Sequence, residues 1–454
     1  MGMLRELYFC RTALEEDLGN HRPAEIKRQI IQENIYGVDI EKGAVDIARL
    51  RFWLALVVDE PTPHALPNLD FKIMQGNSLL ENYKGVPLDS LLSDKTVMPK
   101  KAKQGRFAFD KREMYSQGEL AFGGQTASDV ITSLMKEYYA TDNRDRKQRI
   151  LDDINAQVKG YIKDQINNSD LHAEIDALEC QNDKFFLWHT WFADVFARGG
   201  FDIVIGNPPY FNVETLGAKS QYAKAVKETY PEIWQDKSDI LFYFFGLAMR
   251  LSKNVVMYIT SNAYPFSDKA KKLRNALMND GRLKRIINFE KYNIFNSASI
   301  TTCITELRKF GIGVFAANFT GTKGSLEEVI DYILSDSNYF EVTLSKDSVF
   351  ALVTSDISAI NAHIDANHKR LNQIVVVGSG MQTAANNVFA FDSYPKLFPS
   401  ECIKKRVTGE NIKKYLLCDS MEEFLLYIEP FQSFEDLPQP VQDYLNANKK
   451  FSPK

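Results

Sequence analysis

The chain has 454 residues, of which 44% are hydrophobic, and its formal net charge is -4. This length and apolar content are enough for a large core in more than one domain. The charge excludes a uniformly basic nucleic-acid coat, so binding to DNA would depend on local clusters of lysine and arginine.

The five cysteines are scattered and form no CxxC pair. This pattern argues against a disulfide framework or a zinc site, and for a reducing compartment. No run of residues approaches the roughly 20 apolar positions of a membrane span, and the first residues are too charged for a secretory signal. The sequence therefore predicts a soluble cytoplasmic protein that has no membrane partner and no metal site.

Residues 23–80 form the first readable unit. A helical stretch over residues 24–33 precedes a short buried strand over residues 34–40, which ends at an acid, Asp39. Residues 43–58 carry apolar side chains at helical spacing, and residues 71–78 follow as a second strand with a polar loop. This strand–helix–strand order predicts a parallel α/β sheet.

The pattern changes between residues 84 and 180. A loop rich in lysine and arginine over residues 95–112 is followed by polar helices over residues 127–167. We interpret this part as a helical insertion in the sheet. A solvated surface is favoured for the basic loop, with contact to DNA as the alternative.

The α/β alternation resumes at a strand over residues 201–206. A helix over residues 239–251, a strand over 255–260, a helix over 269–277 and strands over 283–289 and 300–307 follow. From about residue 371 the sequence predicts loops and short strands.

The tetrapeptide Asn207, Pro208, Pro209 and Tyr210 directly follows the strand over residues 201–206. Two prolines fix the backbone and leave their carbonyls free as acceptors. The asparagine adds an acceptor and the tyrosine adds a flat stacking face, which together suit an aromatic amine. A rigid turn that ends the strand is the alternative, but the position at the carboxyl edge of an α/β sheet favours a ligand site.

Two further polar positions follow the first pair of strands. An acid such as Asp39 at a strand end, before a helix, can bind the ribose hydroxyls of an adenosine cofactor, although it can equally cap the helix. The polar groups of Asn77 and Ser78 after the next strand can meet an adenine ring edge.

The segments IYGVDIEKGAVDIARLRFWL, FKIMQGNSLL, FDIVIGNPPY, VVMYITSNAY and IINFEKYNIFNSASITTCI occur in this order. They resemble DNA adenine-N6 methyltransferases of the gamma order. The sequence is most similar to the methylase portion of single-chain type IIG restriction–modification enzymes and related phage-defence methylases, over residues 24–310. The stretches over 375–389 and 406–415 resemble the opening of that family's target-recognition domain.

The resemblance implies a Rossmann-like sheet that depends on S-adenosyl-L-methionine, and it assigns residue roles. Asp39 would bind the cofactor ribose, with Ile40 against the cofactor adenine. Asn77 would meet the adenine amino group next to Ser78, although an aspartate is more usual at position 77. These four residues are the expected cofactor site.

The resemblance also implies the site of the target base. Asn207 and the carbonyl of Pro208 would hold the target amino group, with Pro209 completing the rigid turn. Tyr210 would stack on the flipped base, and Phe295 matches a second aromatic residue that family members place against it. Flipping is expected because an adenine inside a duplex gives no free approach to its amino group.

The glycine-rich cofactor loop that should precede Asp39 by one strand and helix is missing from the sequence, and no nuclease motif is apparent. We therefore expect a fragment: a methyltransferase domain over residues 1–370 without its cofactor loop, then the beginning of a target-recognition domain over 371–454. An upstream segment with that loop, and double-stranded DNA, are the expected partners. Methylation of a protein glutamine or an RNA base, or an inactive DNA-binding module, remain as alternatives.

Overall fold

The computed structural model describes residues 1–14, 23–59, 67–84, 86–88, 127–141, 143–166, 168–179, 181–213, 220–295, 300–321, 324–376, 385–407, 409–413, 416–417, 423–429 and 433–448. The chain forms two compact units, Met1–Ala362 and His363–Lys454. The basic loop over residues 95–112 lies outside the described residues. The domain boundary expected at residue 370 stays a prediction.

The elements of the first unit alternate between helices and strands, as the sequence predicts. Its helices are α1 (Gly2–Leu14), α2 (Pro23–Gln29), α3 (Lys42–Val57), α4 (Ala127–Ala140), α5 (Arg144–Gln165), α6 (His172–Asp176), α7 (Trp188–Trp191), α8 (Ala193–Ala197), α9 (Gln221–Thr229), α10 (Leu241–Leu251), α11 (Lys271–Asp280), α12 (Leu326–Leu334) and α13 (Ser355–Asn367), the last of which extends into the second unit. Its strands are β1 (Gly37–Asp39), β2 (Ile73–Gln75), β3 (Asn82–Tyr83), β4 (Val86–Pro87), β5 (Phe201–Gly206), β6 (Ser252–Ser261), β7 (Leu283–Phe289), β8 (Thr302–Arg308), β9 (Phe315–Phe319) and β10 (Phe340–Glu341).

The first strand–helix–strand unit is confirmed. Strands β1 and β2 pair in parallel, with Asp39 opposite Gln75. A π-helical turn, Ile30–Asn34, extends α2 toward β1. Helices α1, α2 and α3 cover this pair because their apolar stripes meet in one cluster, formed by Leu4, Ile26, Ile30, Ile31, Ile35, Val45, Phe52, Leu56, Leu69 and Ile73.

A six-stranded sheet in the order β10-β9-β7-β8-β6-β5 forms the rest of the first unit's centre. The pairs β5–β6 and β7–β9 are parallel, whereas β8 runs antiparallel to both β6 and β7. Strands β5, β6 and β7 consequently point the same way, and the loops after them emerge at one edge of the sheet. The predicted α/β class is confirmed, and the large sheet is mixed because β8 enters antiparallel.

The predicted insertion contains helices in its described part. Helices α4 and α5 bury Ile131, Tyr138, Ile150, Ile154, Val158 and Ile162 in the main core. The ring of Tyr138 meets Phe71 edge-on, with 5.1 Å between ring centroids, and its hydroxyl donates to Asp70. The insertion therefore packs against the segment that leads into β2.

The second unit has the short strands that the sequence predicts. It contains α14 (Asn386–Phe389), β11 (Ala390–Phe391), β12 (Ile403–Lys405), β13 (Ile412–Lys413), β14 (Leu416–Leu417), β15 (Phe424–Leu426) and α15 (Gln439–Ala447). Strands β11, β15 and β12 form an antiparallel sheet. Its small core consists of Phe398, Ile403, Leu426, Leu437 and Val441.

Arg274 on α11 holds the loop after β6 in place. The side chain is only 2% exposed, and its guanidinium donates to the carbonyls of Tyr264 (2.8 Å), Ser267 (2.6 Å) and Ser348 (2.7 Å). A buried carbonyl that loses its donor destabilises the folded state by about 1–3 kcal/mol. This arginine therefore fixes the loop that leaves the sheet edge.

We expect Arg274→Met to lower the free energy of unfolding by about 3 kcal/mol or more, because three carbonyls lose a charged donor at once. Urea denaturation would measure the change. Lys269→Met, on the exposed surface of the same loop, is the control and should change the free energy by about 0.5 kcal/mol at most. Equal effects of the two substitutions would contradict the structural role of Arg274.

Candidate functional site

The tetrapeptide over residues 207–210 begins where β5 ends. Gly206, the last residue of β5, pairs with Tyr258 of β6. A Cβ on Gly206 would lie 2.8 Å from Cε1 of Tyr258, so this position accepts only glycine without displacement of the ring. The close packing sets the point at which the chain leaves the sheet.

Asn207 and Tyr210 contact each other through their polar groups. The Tyr210 hydroxyl donates to Oδ1 of Asn207 at 2.6 Å and lies 3.3 Å from the carbonyl of Ile259 on β6. Asn207 and Pro209 are exposed, Pro208 is buried and Tyr210 is half-buried. An amide oxygen has two lone pairs, so Oδ1 of Asn207 can still accept a second donor.

The Tyr210 hydroxyl stays protonated at neutral pH. Burial raises the pKa of Tyr210 to about 12, and the nearby Cys303 and Asp239 add to the increase. A neutral phenol is a donor to Asn207, whereas a phenolate would repel the amide oxygen. The side-chain pair is therefore stable across the physiological pH range.

Asp39 and Ile40 lie at the carboxyl end of β1, and both are exposed. Oδ1 of Asp39 accepts from the backbone N–H of Glu41 at 2.8 Å, just before α3 begins. The backbone N–H of Gly76 donates to the Asp39 carbonyl at 2.9 Å, and the side chain of Gln75 donates to the Ile40 carbonyl at 3.0 Å. These bonds bring the ends of β1 and β2 together.

Asn77 differs from an open ligand-binding side chain, because it is only 5% exposed. Its Oδ1 accepts from the backbone N–H of Leu79 at 3.3 Å, and its side chain partly offsets the increase that burial causes in the pKa of Tyr222. Ser78 is half-buried, and its carbonyl accepts from the indole N–H of Trp188 at 2.9 Å. The local turn therefore uses much of the polar capacity of these two residues.

The chain after the tetrapeptide returns to the Asn77 loop. Helix α9 carries Tyr222, which contacts Asn77, and the Tyr230 hydroxyl after this helix donates to the carbonyl of Leu79 at 3.0 Å. The ring of Phe201, where β5 begins, lies 5.4 Å from the ring of Tyr36, just before β1. Contacts at both ends thus join the β1–β2 pair to the β5 side of the larger sheet.

Phe295 is half-buried in the loop that follows β7. Because β7 runs parallel to β5 and β6, this loop leaves the sheet at the same edge as the tetrapeptide. The residues directly after it, 296–299, lie outside the described part of the chain. The expected contact of Phe295 with the target base stays a prediction.

A chain of asparagine side chains along this edge was not predicted from the sequence. Thr301 donates to Asn262 (2.8 Å), Asn262 to Asn288 (3.0 Å), Asn288 to Asn318 (3.3 Å) and Asn318 to the Leu352 carbonyl (2.8 Å). Asn288 is 4% exposed although it lies in a strand. The asparagine between the apolar residues Ile287 and Phe289, at the end of this strand, was the available signal.

Asp239 is the second residue that sequence reasoning passed over. It is half-buried before α10, and burial raises the pKa of its carboxyl above the usual range. Its negative charge also contributes to the raised pKa of Tyr210. The acid directly before a strongly apolar helix could have indicated a site residue, but the same pattern is typical of an ordinary helix cap.

Other features of the described residues bear on the kind of site. No group of three or more His, Cys, Asp or Glu side chains in the described residues is arranged to hold a metal ion. Cys303 is fully buried, and burial raises the pKa of its thiol to about 12. A buried neutral thiol is a poor nucleophile, so we interpret Cys303 as a core residue.

No helix in the described ranges combines the length and the apolar character needed to cross a membrane.

Comparisons with known proteins give a consistent result. RM.MjaORFECS2P, a candidate type II restriction enzyme and methyltransferase of Methanocaldococcus jannaschii, is 26% identical over 330 residues, which cover 62% of this chain and 26% of that protein. The type II restriction enzyme and methyltransferase RM.Eco57I of Escherichia coli is 25% identical over 233 residues, covering 49% of this chain and 21% of that protein. The chain therefore spans about a quarter of the length of these curated relatives.

Among solved structures, the ATP-dependent type ISP restriction-modification enzyme LlaBIII bound to DNA matches with a TM-score of 0.43 and 11% identity, over 86% of this chain and 22% of that one. The family model described as Eco57I restriction-modification methylase matches residues 33–295, which include β1, β2, the insertion, the tetrapeptide and the strands up to β7. This match covers more than half of the chain, and so the chain belongs to the Eco57I restriction-modification methylase family.

Proposed function

We propose that the chain carries the catalytic part of a site-specific DNA methyltransferase that acts on the N6 amino group of adenine in a restriction–modification or phage-defence system. The observation that supports this most directly is the arrangement at the end of β5. An exposed Asn207, whose Oδ1 accepts from the Tyr210 hydroxyl at 2.6 Å, is followed by two rigid prolines. Family membership supports the methylase activity.

The chemistry of this pocket suits an aromatic amine. Adenine N6 has two N–H bonds, and its lone pair is delocalised into the ring, which makes it a weak nucleophile. Asn207 Oδ1 and the Pro208 carbonyl would each accept one of these N–H bonds. Two such acceptors favour a tetrahedral nitrogen, whose lone pair is no longer delocalised into the ring and can attack the methyl group. Positioning and electrostatics are then the main sources of catalysis.

The base must leave the duplex before these acceptors can reach it. Stacking on an aromatic side chain contributes about 1–3 kcal/mol per contact and offsets part of the lost stacking. In the proposed complex, Tyr210 and Phe295 supply these contacts. Because Tyr210 is already fixed by its hydroxyl, its ring would form one wall of the pocket with little loss of entropy.

S-adenosyl-L-methionine is the proposed cofactor, and when bound it supplies an electrophilic methyl group. The β1 side fits such a group, because Asp39 is exposed and can accept from ribose hydroxyls, with Ile40 exposed beside it. At the end of β2, fewer polar groups are available to the cofactor. Asn77 would meet an adenine ring only if its amide were shared with, or released from, Tyr222 and Leu79.

We propose that a further strand with a glycine-rich loop completes the cofactor pocket between β1 and β5. Each of these two strands has a single hydrogen-bonded neighbour among the described residues. On β5, Ile203 and Ile205 are 49% and 55% exposed, although parallel strands are normally covered on both faces. An added parallel strand would satisfy both open edges, and its connecting helix would cover these isoleucines.

Double-stranded DNA is the proposed partner, and the second unit, with its small antiparallel sheet, is the proposed start of a target-recognition domain. Methylation of a protein glutamine or an RNA base uses the same kind of pocket and is the second candidate among enzymes. An inactive DNA-binding module is the candidate from another class. The absence of a glycine-rich loop before Asp39 in this sequence supports the inactive module, whereas the bond between Asn207 and Tyr210 in the tetrapeptide supports an enzyme.

The first prediction concerns the tetrapeptide in a version of the protein that includes the cofactor loop. Asn207→Ala and Tyr210→Ala should each lower methyl transfer to DNA about 100-fold or more, because an acceptor or a stacking face is lost in the transition state. Tyr210→Phe keeps the ring and loses one hydrogen bond, so a decrease of about 5-fold is expected. Incorporation of a tritiated methyl group would measure each rate.

The matched control is Tyr339→Phe, which removes a hydroxyl that donates to the Ile333 carbonyl at 2.8 Å. Its rate should equal that of the unaltered protein. Duplex affinity, measured by fluorescence anisotropy, should change about 3-fold at most in all four variants. A parallel loss of affinity and rate would contradict the assigned roles, and transfer to protein or RNA but not to DNA would favour the second candidate.

The second prediction concerns the cofactor side. Calorimetry with S-adenosyl-L-methionine should give little heat for the 454-residue chain and clear binding for a longer version that includes a glycine-rich strand and loop. In the longer version Asp39→Ala should weaken binding about 10-fold or more, because two ribose hydroxyls lose a charged acceptor. Asp202→Ala, an exposed acid on β5, is the control. Tight binding by the short chain would contradict the need for the added strand.

A further inference from the structure

Helix α3 presents apolar side chains on the face that points away from its sheet. Its inner face packs toward β1 and β2 through Val45, Phe52 and Leu56, which are buried. The opposite face carries four apolar residues that are each more than half exposed, Ile47, Leu50, Leu54 and Val57. A surface helix normally keeps its outer face polar, so a helix that is apolar on both faces is one that is normally covered on both.

The four exposed residues, here called the α3 seam, have the spacing of a coiled coil. They follow one another at intervals of three, four and three residues, as the a and d positions of a heptad repeat do. In this register Ile47 and Leu54 occupy a positions, and Leu50 and Val57 occupy d positions. Isoleucine at a with leucine at d favours the parallel pairing of two helices. The α3 seam therefore suits one further helix that packs along its length.

Charged residues beside the α3 seam indicate that this further helix is α3 of a second copy. Asp46 occupies a g position and Arg51 the following e position, and both side chains are exposed. In a parallel pair of identical helices, a g residue lies next to the e residue five positions further along the partner helix. Asp46 of each copy would then meet Arg51 of the other, because two-fold symmetry forms the pair twice. The face is thus self-complementary in its apolar seam and in its charge.

A second helix with exposed leucines shows what these charges add. Helix α12 exposes Leu326 and Leu334 even more than α3 exposes its seam. Every charged residue of α12 is acidic, namely Glu327, Glu328 and Asp331. Self-pairing of α12 would bring like charges together, which opposes association. Exposed apolar side chains alone therefore do not make a self-complementary face, and α3 differs by its pair of opposite charges.

The size of the α3 seam sets the expected strength of the association. Helix α3 is already folded against its sheet, so pairing costs none of the entropy of helix formation that makes isolated helices of this length unstable. A single pair of helices is nevertheless a small interface, at or below about 1,200 Å² of total buried surface. Interfaces at this end of the range are weak, so a dissociation constant on the order of 10 µM is expected.

We propose that α3 is a self-association surface, on which two copies of the chain pair through parallel α3 helices. This arrangement places the beginnings of both helices at one end of the dimer. Asp39 and Ile40 lie just before α3, so the candidate cofactor sides of the two copies would lie at that same end. The inference concerns association only and does not depend on the proposed function.

Sedimentation equilibrium of the 454-residue chain tests the pairing, with an expected dissociation constant on the order of 10 µM. Leu50→Glu combined with Leu54→Glu should raise this constant about 100-fold or more, because the dimer would bury unpaired charges. The matched control is Leu326→Glu combined with Leu334→Glu on α12, which should change it about 3-fold at most. Both double variants alter exposed side chains, so their circular dichroism spectra should equal that of the unaltered chain.

Charge reversal tests the parallel register without placing a charge in the seam. Asp46→Arg and Arg51→Asp should each weaken the dimer about 10-fold, because each replaces two attractive contacts by two repulsive ones. The two substitutions together should restore the affinity to within about 3-fold of the original, since the pair forms again with its charges exchanged. In an antiparallel or non-specific contact Asp46 does not meet Arg51, and the combined variant gives no restoration.

Three results would each overturn the proposal. The first is an unaltered chain that stays monomeric at about 100 µM, roughly ten times the expected dissociation constant. The second is an equal loss of affinity in the α3 and α12 leucine variants, which would indicate non-specific association. The third is a failure of the combined charge variant to recover the affinity that each single charge reversal removes.

Discussion

The parallel pairing of β5 with β6 is the constraint on which the candidate site depends. Its register places Gly206 against the ring of Tyr258, where a Cβ would lie 2.8 Å from Cε1. This close approach requires glycine at the last residue of the strand, and Asn207 is the first residue to leave the sheet. Tyr210 then folds back over β6, where its hydroxyl finds both Asn207 and the carbonyl of Ile259.

Polar groups at the carboxyl edge of the sheets are organised by hydrogen bonds rather than by ion pairs. Asparagines 262, 288 and 318 link neighbouring strands and loops through their amides. Burial keeps the phenol of Tyr210 and the thiol of Cys303 neutral. Such an environment suits a neutral aromatic amine, whose N–H groups can bond to uncharged acceptors such as Oδ1 of Asn207.

The two sides of the site differ in the size of the sheet that holds them among the described residues. The tetrapeptide side is held by a six-stranded sheet, a rigid pair of prolines and the backbone pairing of residues 211–213 with residues 238–240. The Asp39 side is part of a two-stranded sheet, and contacts such as that between Tyr36 and Phe201 connect it to the larger one. Among the described residues, β1 and β5 each have one hydrogen-bonded neighbour, which is the basis for the further strand proposed above.

Local sequence determined the elements and the chemistry of the tetrapeptide. Apolar periodicity located α3, α10 and β7 to within two residues, because each buries one face or both along its whole length. The Asn-Pro-Pro-Tyr sequence specified a rigid turn with free acceptors, because proline fixes the backbone wherever it occurs.

Contacts distant in sequence were decided only by the tertiary structure. The antiparallel entry of β8, the burial of Asn77, the asparagine chain and the bond from Ile240 to the Phe211 carbonyl each join residues that no local pattern relates. A strand's neighbour and a polar side chain's partner depend on which other segments compete for the same hydrogen bonds, and that competition is settled only when the whole core has packed.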